Sequence, residues 1–292
     1  MTTPRVSVPS HAGLRTRMLE VEGSPPTFVL LHGYLDSANT WDSALRELAA
    51  RGHSAVAVDL PGFGSADLLE PGLMMPQLDA FVADLVEVRA RRGPVVLVGN
   101  SLGGTLAVRA AAAGAPLLGV VTIGDPSAGP WRLRTWAGAP RTPLLLRLAA
   151  APLPVPPSVL RFVATPVLRR LVYADHRTAD PAVVARFTEF VRARGGLPWL
   201  AANMAAVTRE LHQGHGDLRI SCGLHIIHGK KDRVVPLVGS RTLHEALPDS
   251  DLTIGPDWGH CPQLDDPAAL AELVTNAANG WLGALPQAGD LA

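Results

Sequence analysis

Short, largely apolar runs recur along the chain and predict buried strands. The clearest are Thr27–Leu31, Val95–Val98, Gly119–Ile123 and Leu224–Ile227. A strand that is covered on both faces carries apolar side chains at nearly every position, rather than at alternate ones. Segments with apolar residues at helical spacing separate these runs, as in Thr40–Arg51. This alternation predicts an α/β fold, with a mostly parallel central sheet flanked by helices.

Weaker patterns complete this alternation on either side. Residues 5–8 and 14–22 flank a turn and predict an opening hairpin at a sheet edge. The remaining predicted elements are strands at His53–Val58 and Asp251–Ile254, and helices at Met74–Arg92, at 102–113, at 237–246 and from about Asp266 onwards.

The alternation of strand and helix stops between Pro126 and Ser221. A proline-rich segment, residues 152–157, interrupts this part of the chain. Its predicted helices lie near 141–151, 158–173, 180–194 and 197–213. We therefore predict a core made of residues 1–125 and 222–292, with a helical cap, residues 126–221, inserted after the strand that ends near Gly124.

The apolar run Val95–Val98 leads directly into a Gly-x-Ser-x-Gly sequence, residues Gly99–Gly103, and a helix-like segment follows at once. A serine on a sharp turn between a buried strand and a helix is typical of a nucleophile elbow. The glycines leave room for the crossing backbones, and the helix N-terminus directs unpaired N–H groups towards developing negative charge. Ser101 is therefore the candidate nucleophile.

A serine hydroxyl needs a base within hydrogen-bond reach, and that base needs a carboxylate to hold its tautomer. Asp232 follows the predicted strand Leu224–Ile227, and His260 follows the predicted strand Asp251–Ile254. Sheets of this kind bind ligands beyond the carboxyl ends of their strands. We therefore expect Ser101, Asp232 and His260 to meet at that edge of the sheet.

The chain order serine, aspartate, histidine resembles that of the α/β-hydrolase family. Outside the insertion, the resemblance covers the whole chain, and the insertion lies where the family carries its helical cap. It implies the α/β-hydrolase fold. The loops that look like the successive signature loops of the family are His32–Tyr34, Asp59–Gly64, Gly99–Gly104, His228–Pro236 and Gly259–Pro262.

The resemblance also implies a role for each residue of the site. Ser101 attacks the substrate, His260 accepts the serine proton and returns it to the leaving group, and Asp232 orients His260. The backbone N–H groups of Tyr34 and Leu102 would form the oxyanion hole. No metal and no cofactor is implied. Supporting residues are His32, which we expect to hold its loop rather than to transfer protons, and Gly33, Gly99, Asn100 and Gly103.

Other residues compete for two of these roles. Asp125 also ends a predicted strand and remains the alternative acid, since some members of the family place their carboxylate after the strand that follows the elbow strand. Its other interpretation is a residue that turns the chain into the cap. Of the other histidines, His212 and His215 lie in the insertion and are expected to be exposed, while His225 and His228 belong to a predicted strand.

Several features bear on the reaction. A serine nucleophile argues against the epoxide hydrolases and haloalkane dehalogenases of this fold, which attack with aspartate. The elbow is similar to that of the meta-cleavage-product hydrolases, which break a carbon–carbon bond, but those enzymes usually have a glycine-rich oxyanion loop and a tryptophan after the catalytic histidine. This chain has Tyr34–Asp36 and Cys261 at these places.

We therefore predict an esterase that cleaves a lipophilic small-molecule ester through an acyl-enzyme. The alternatives are a carbon–carbon hydrolase, a thioesterase, a lactonase or an amidase. From a different class, a ligand receptor without turnover also remains, because receptors occur on this fold with the triad intact.

Composition limits the partners and the location. The formal net charge is zero, so the sequence gives no electrostatic case for nucleic acid. Cys222 and Cys261 make no disulfide framework and fit a reducing cytoplasm. The N-terminus lacks a signal-peptide pattern, and no apolar run reaches the length of a membrane span. We expect a soluble cytoplasmic protein, and its arginine- and alanine-rich composition is typical of a GC-rich bacterial genome.

The neutral total conceals a division of charge. The insertion holds 13 of the 26 basic residues but 5 of the 26 acidic ones, a net +8 against −8 for the remainder. Attraction between a basic cap and an acidic core accounts for such a pattern, and so does contact with an anionic membrane surface, a carrier protein or a substrate headgroup. Ser158–Tyr173 favours the membrane, because it combines apolar residues with three arginines. The alternative is that these apolar residues line an acyl pocket.

Overall fold

A computed structural model of the protein describes residues 3–127, 157–211, 214–215 and 218–284. Eight of the strands in these residues form one sheet, whose order across the sheet is β1-β4-β6-β5-β7-β8-β9-β10, and the other two pair as a small hairpin. The strands are β1 (Arg5–Ser7), β2 (Ser10–His11), β3 (Leu14–Arg15), β4 (Met18–Val21), β5 (Ser24–Leu31), β6 (His53–Val58), β7 (Val95–Asn100), β8 (Gly119–Ile123), β9 (Gly223–Gly229) and β10 (Asp251–Gly255).

Six neighbouring strands of this sheet, from β6 across to β10, run parallel. The two strands at the other edge, β1 and β4, pair antiparallel with each other, and β4 pairs antiparallel with β6. The prediction of a mostly parallel sheet with an opening hairpin at its edge is confirmed.

The helices lie close to their predicted positions. Between β8 and β9, three helices of the described residues match three of the predicted ones, while the helix predicted near 141–151 lies outside the described residues. One short helix, α8, was not predicted. The helices are a 3₁₀ turn (Ala38–Trp41), α1 (Asp42–Ala50), α2 (Met74–Ala90), α3 (Leu102–Ala112), α4 (Pro157–Val172), α5 (Pro181–Ala193), α6 (Gly196–Leu211), α7 (Leu237–Ala246), α8 (Pro262–Asp265) and α9 (Pro267–Gly283).

The sheet separates two apolar clusters. On one face α2 and α3 bury residues such as Phe81 and Leu106 against the strands. On the other face α1 and α9 bury residues such as Trp41, Leu45 and Leu270. Each fully buried side chain of this size contributes about 1.5–3 kcal/mol relative to an exposed one. Both faces of the sheet are thus covered, which explains the continuous apolar character of its central strands.

Close packing of α3 on the sheet requires glycine at the elbow. A Cβ atom at Gly99 would overlap the backbone of Gly103, and a Cβ atom at Gly103 would overlap the backbone of Leu31. The spacing of the Gly-x-Ser-x-Gly sequence therefore sets how closely α3 can approach β7 and β5.

The helices between β8 and β9, α4 to α6, are called the inserted helices below, and a carboxylate joins one of them to α2. The carboxylate of Glu210, in α6, accepts hydrogen bonds from the backbone N–H groups of Met74 (3.0 Å) and Met75 (2.8 Å). These N–H groups belong to the first turn of α2, where N–H groups have no partner within the helix and attract negative charge. Leu73, which precedes this helix, provides no capping side chain. None of the described helices combines the length and apolarity needed to cross a bilayer.

Candidate active site

Ser101 lies on the turn between β7 and α3 in a strained conformation, with φ +54° and ψ −116°. A non-glycine residue in such a region costs of the order of 1–3 kcal/mol and persists only where its surroundings hold it. Here its backbone N–H donates to the carbonyl oxygen of Ile123 at 2.8 Å. A Cβ atom at Gly33 would lie 3.2 Å from the Cβ of Ser101, so the loop after β5 passes directly beside the serine.

His260 and Asp232 form a buried pair beside this turn. The Nδ1 atom of His260 lies 2.8 Å from Oδ2 of Asp232. The other carboxylate oxygen accepts hydrogen bonds from the N–H groups of Val234 (2.7 Å) and Val235 (2.9 Å). Burial raises the pKa of the Asp232 carboxyl, but the electrostatic interaction and hydrogen bond with His260 and the two backbone hydrogen bonds outweigh it and hold the pKa below its usual range. Asp232 is therefore ionised at neutral pH.

Asn100 ties the serine turn to the loop that carries His260. Its Nδ2 group donates to the backbone carbonyl of His260 at 2.8 Å and to that of Ile123 at 3.3 Å. Its Oδ1 atom accepts from Nε2 of Gln263 at 3.2 Å. The residue before Ser101 thus fixes the backbone of His260 relative to the turn.

Ser101 and His260 open onto one cavity of about 220 Å³, which Asp232 adjoins through its bond to His260. Tyr34 and Leu102, the two oxyanion candidates, also line it. Among the described residues, none that lines the cavity is a lysine or an arginine. Its wall is largely apolar, and the inserted helices contribute Leu168, Leu171, Val172, Phe187, Met204 and Val207.

His32 supports the loop that carries Tyr34. The imidazole is fully buried, its Nδ1 lies 2.7 Å from the carbonyl oxygen of Gly33, and its Nε2 accepts the N–H of Leu60 at 2.9 Å. Both ring nitrogens are therefore occupied by backbone groups.

Burial raises the pKa of the Tyr34 phenol well above its usual value, so its side chain stays neutral.

Asp125 pairs with a different histidine. Its Oδ2 lies 2.5 Å from Nε2 of His215, and its Oδ1 accepts from the hydroxyls of Thr105 (2.6 Å) and Ser127 (2.7 Å). The expectation that His215 is exposed was wrong, since its side chain is 4% exposed and joins the end of the insertion to the core. His212 lies outside the described residues.

The basic amphipathic segment predicted at 158–173 forms α4. Its Leu168, Leu171 and Val172 line the cavity, so these apolar side chains face the site. Phe162 and Val167 remain exposed. The contribution of α6 to the cavity wall was not predicted from the sequence. The spacing of Met204, Val207 and Leu211 along one helix face was the available signal.

The residues described in the structure contain no group of three histidine, cysteine, aspartate or glutamate side chains arranged to hold a metal ion. Cys222 and Cys261 are both free thiols, and Cys261 is buried beside His260. Burial raises the pKa of the Cys261 thiol well above its usual value, so it stays protonated.

Comparison with known proteins gives consistent results. The sequence model of the Alpha/beta hydrolase family matches residues 28–273. A pimeloyl-[acyl-carrier protein] methyl ester esterase of Chromobacterium violaceum is 30% identical over 266 residues, which cover 89% of this chain and 98% of that esterase. An esterase of Mycobacterium tuberculosis is 40% identical over 103 residues, but this match covers 35% of the chain and spans only 34% of that esterase.

Solved structures show the same fold. A bacterial membrane phospholipase A has a TM-score of 0.71 with this protein at 22% sequence identity, over 97% of this chain and 88% of that one. At this level of sequence identity, the likeness concerns the path of the backbone and shows the fold alone.

Proposed function

Since the chain belongs to the alpha/beta hydrolase family, we propose that it is a serine hydrolase that cleaves carboxylic esters with largely apolar acyl groups. The observation that carries this proposal is the hydrogen bond of 2.8 Å between Nδ1 of His260 and Asp232, beside a cavity that Ser101 also lines. This bond leaves the opposite ring nitrogen of His260 for the proton of the serine hydroxyl.

The reaction follows from this arrangement. The Oγ atom of Ser101 attacks the ester carbonyl carbon, and its proton passes to Nε2 of His260. Asp232 stabilises the imidazolium that forms. The tetrahedral intermediate then collapses, the C–O bond to the alcohol breaks, and His260 protonates the departing oxygen. Water repeats the sequence on the acyl-enzyme and releases the acid.

The negative oxygen of the intermediate needs donors that are already in place. We assign this role to the backbone N–H groups of Tyr34, on the loop after β5, and of Leu102, the residue after Ser101. Leu102 begins α3, so its N–H lies at the positive end of a helix dipole. Loss of one such donor typically lowers kcat by about 10²–10³.

The cavity favours an uncharged ester over the substrate of a carbon–carbon hydrolase. A 2-hydroxy-6-oxo-dienoate carries a carboxylate, and burial of a carboxylate is costly unless a cation pairs with it and it is also hydrogen-bonded. The described cavity lining offers no arginine or lysine for it, and its apolar wall suits a short or medium acyl chain.

The test is hydrolysis of a panel of acyl esters by the wild type and by Ser101→Ala. The variant should lose both hydrolysis and labelling by a fluorophosphonate while keeping its fold. Ser250→Ala, which removes another buried serine hydroxyl that does not line the cavity, should leave both unchanged. Ester hydrolysis by Ser101→Ala at the wild-type rate would contradict the mechanism. If kcat/KM were higher for the 2-hydroxy-6-oxo-dienoate than for every ester, the proposed reaction would be cleavage of a carbon–carbon bond and not of an ester.

A further inference from the structure

The end of α4 packs directly against the loop that carries His260. A Cβ atom at Gly259 would lie 2.6 Å from the backbone nitrogen of Ala174 and 2.9 Å from the carbonyl carbon of Tyr173. Real Cβ atoms do not approach a backbone so closely, so only glycine permits this contact. The residue before His260 therefore lies in contact with the chain that leaves the inserted helix.

Asp265 holds both sides of this contact. Its Oδ2 accepts the backbone N–H of Gly259 at 2.7 Å, and its Oδ1 accepts the backbone N–H of Ala174 at 2.9 Å. Hydrogen bonds to an ionised carboxylate are about twice as strong as neutral ones. One side chain thus binds the residue before His260 with one oxygen and the end of the inserted helix with the other.

Arg233, which follows Asp232 in the chain, contacts the same helix end. Its Nη1 group donates to the carbonyl oxygens of Arg170 at 2.9 Å and Tyr173 at 3.2 Å. The last carbonyls of a helix have no partner within it and carry partial negative charge, which a guanidinium satisfies. The loop of the acid and the loop of the base therefore both hold the C-terminal end of α4.

The same helix forms part of the substrate cavity. Leu168, Leu171 and Val172, in its last two turns, line the cavity into which Ser101 opens. A shift at the end of α4 would therefore change the wall of the cavity and the position of Gly259 together.

We infer that Asp265 is a positioning residue, which sets the imidazole of His260 by holding Gly259 and the end of α4 in one fixed arrangement. The inference rests on the proposed function, because it gives Asp265 a part in the same reaction. The side chain contacts no reacting atom. Asp265 acts through the backbone next to His260. Through Asp265, the end of α4 also helps to hold the catalytic base in place.

The test compares Asp265→Ala with Asp266→Ala. Asp266 is the matched control, because its carboxylate also accepts a backbone N–H, that of Ala269 at 3.0 Å, but at the start of α9. We expect Asp265→Ala to lower kcat on the order of 10²-fold, as small displacements of a catalytic group do. Asp266→Ala should lower stability and keep kcat.

A second readout follows the imidazole itself. The far-downfield NMR resonance of the proton between His260 and Asp232 should shift or broaden in Asp265→Ala and stay unchanged in Asp266→Ala. If Asp265→Ala does not fold, Asp265→Asn serves instead, since it keeps one acceptor oxygen and should show the same change in reduced form. A wild-type resonance and a wild-type kcat in the folded variant would overturn the inference.

This readout separates the inference from the proposed function, because the resonance needs no substrate. If the wild type hydrolyses no ester but the resonance still responds to Asp265→Ala and not to Asp266→Ala, the reaction is wrong and the positioning role stands. If esters are hydrolysed and neither readout responds, the reaction stands and the positioning role is wrong.

Discussion

The molecule contains two buried aspartate–histidine pairs at the carboxyl ends of neighbouring strands, and they differ in what surrounds the imidazole. Asp125 follows β8 and pairs with His215, while Asp232 follows β9 and pairs with His260. Both carboxylates are almost fully buried. In each case burial raises the pKa of the carboxyl, and the histidine and nearby donors lower it further than burial raises it.

The two pairs differ in which ring nitrogen of the histidine contacts the aspartate. His260 meets Asp232 through Nδ1, which leaves Nε2 for a second group. His215 meets both Asp125 and the hydroxyl of Ser127 through the same Nε2 atom, each at 2.5 Å, and its Nδ1 is buried without a partner in the described structure. A proton relay needs the acid and the nucleophile on opposite nitrogens. The cluster of Asp125, His215 and Ser127 therefore lacks the geometry of a triad, although it contains the same three residue types.

The largest expected effect separates the two acids. Asp232→Asn should lower kcat on the order of 10⁴, because the amide favours the wrong tautomer of His260. Asp125→Asn should lower kcat far less, since its carboxylate bonds His215 and not His260. Steady-state kinetics of both variants on one ester, corrected for the folded fraction, provide the measurement. The reverse ranking would assign the acid role to Asp125.

The second effect concerns stability. His215→Ala leaves the buried carboxylate of Asp125 without its histidine partner, and the loss of one partner of a buried polar group costs about 1–3 kcal/mol, more for a charged group. Urea unfolding should show that loss, while the folded variant keeps its turnover. His225→Ala is the control, because His225 is also buried but bonds the hydroxyl of Thr253 at 2.8 Å rather than a carboxylate among the described residues. Equal losses in the two variants would mean that the contact between His215 and Asp125 contributes nothing beyond the burial of a histidine.

The smallest expected effect concerns how the free energy of unfolding depends on pH. In the unfolded chain both carboxyls bind protons near pH 3.9, about the ordinary aspartate pKa. In the folded protein their pKa values are lower, so the unfolded state binds more protons and stability rises with pH. The stabilisation is present above about pH 4 and is lost as pH falls through the folded pKa values. Asp125→Asn should therefore show a shallower acid decline of the unfolding free energy than the wild type.

The sequence predicts where Asp232 and His260 lie in the fold, but it does not predict the pairing of Asp125 with His215. Ser101, Asp232 and His260 each follow a strand that its apolar pattern reveals, and parallel strands bring such loops to one edge. Their positions could thus be anticipated from local signals. The sheet, its antiparallel edge and most helices followed from the same patterns.

The pairing of Asp125 with His215 could not be predicted in this way. His215 lies beyond the inserted helices, and its place depends on how those helices return to the core, for which the local sequence carries no signal. Asp265 was missed for a related reason. Asp265 precedes Asp266, the N-cap of α9. The sequence around it therefore indicates a second acidic residue at the start of that helix and gives no sign of the contact with Ala174 at the end of α4.

The carboxylate of Glu210 has a consequence for the way the chain folds. It lies in the insertion, yet it supplies the acceptor for the first turn of α2, a helix 135 residues earlier in the chain. The core helix is therefore completed only after the insertion has been synthesised and has folded back onto it. An exchange of this insertion for one from another hydrolase would leave the start of α2 uncapped unless the new segment brought its own acceptor. The segment between β8 and β9 is, in this respect, a late folding partner of α2.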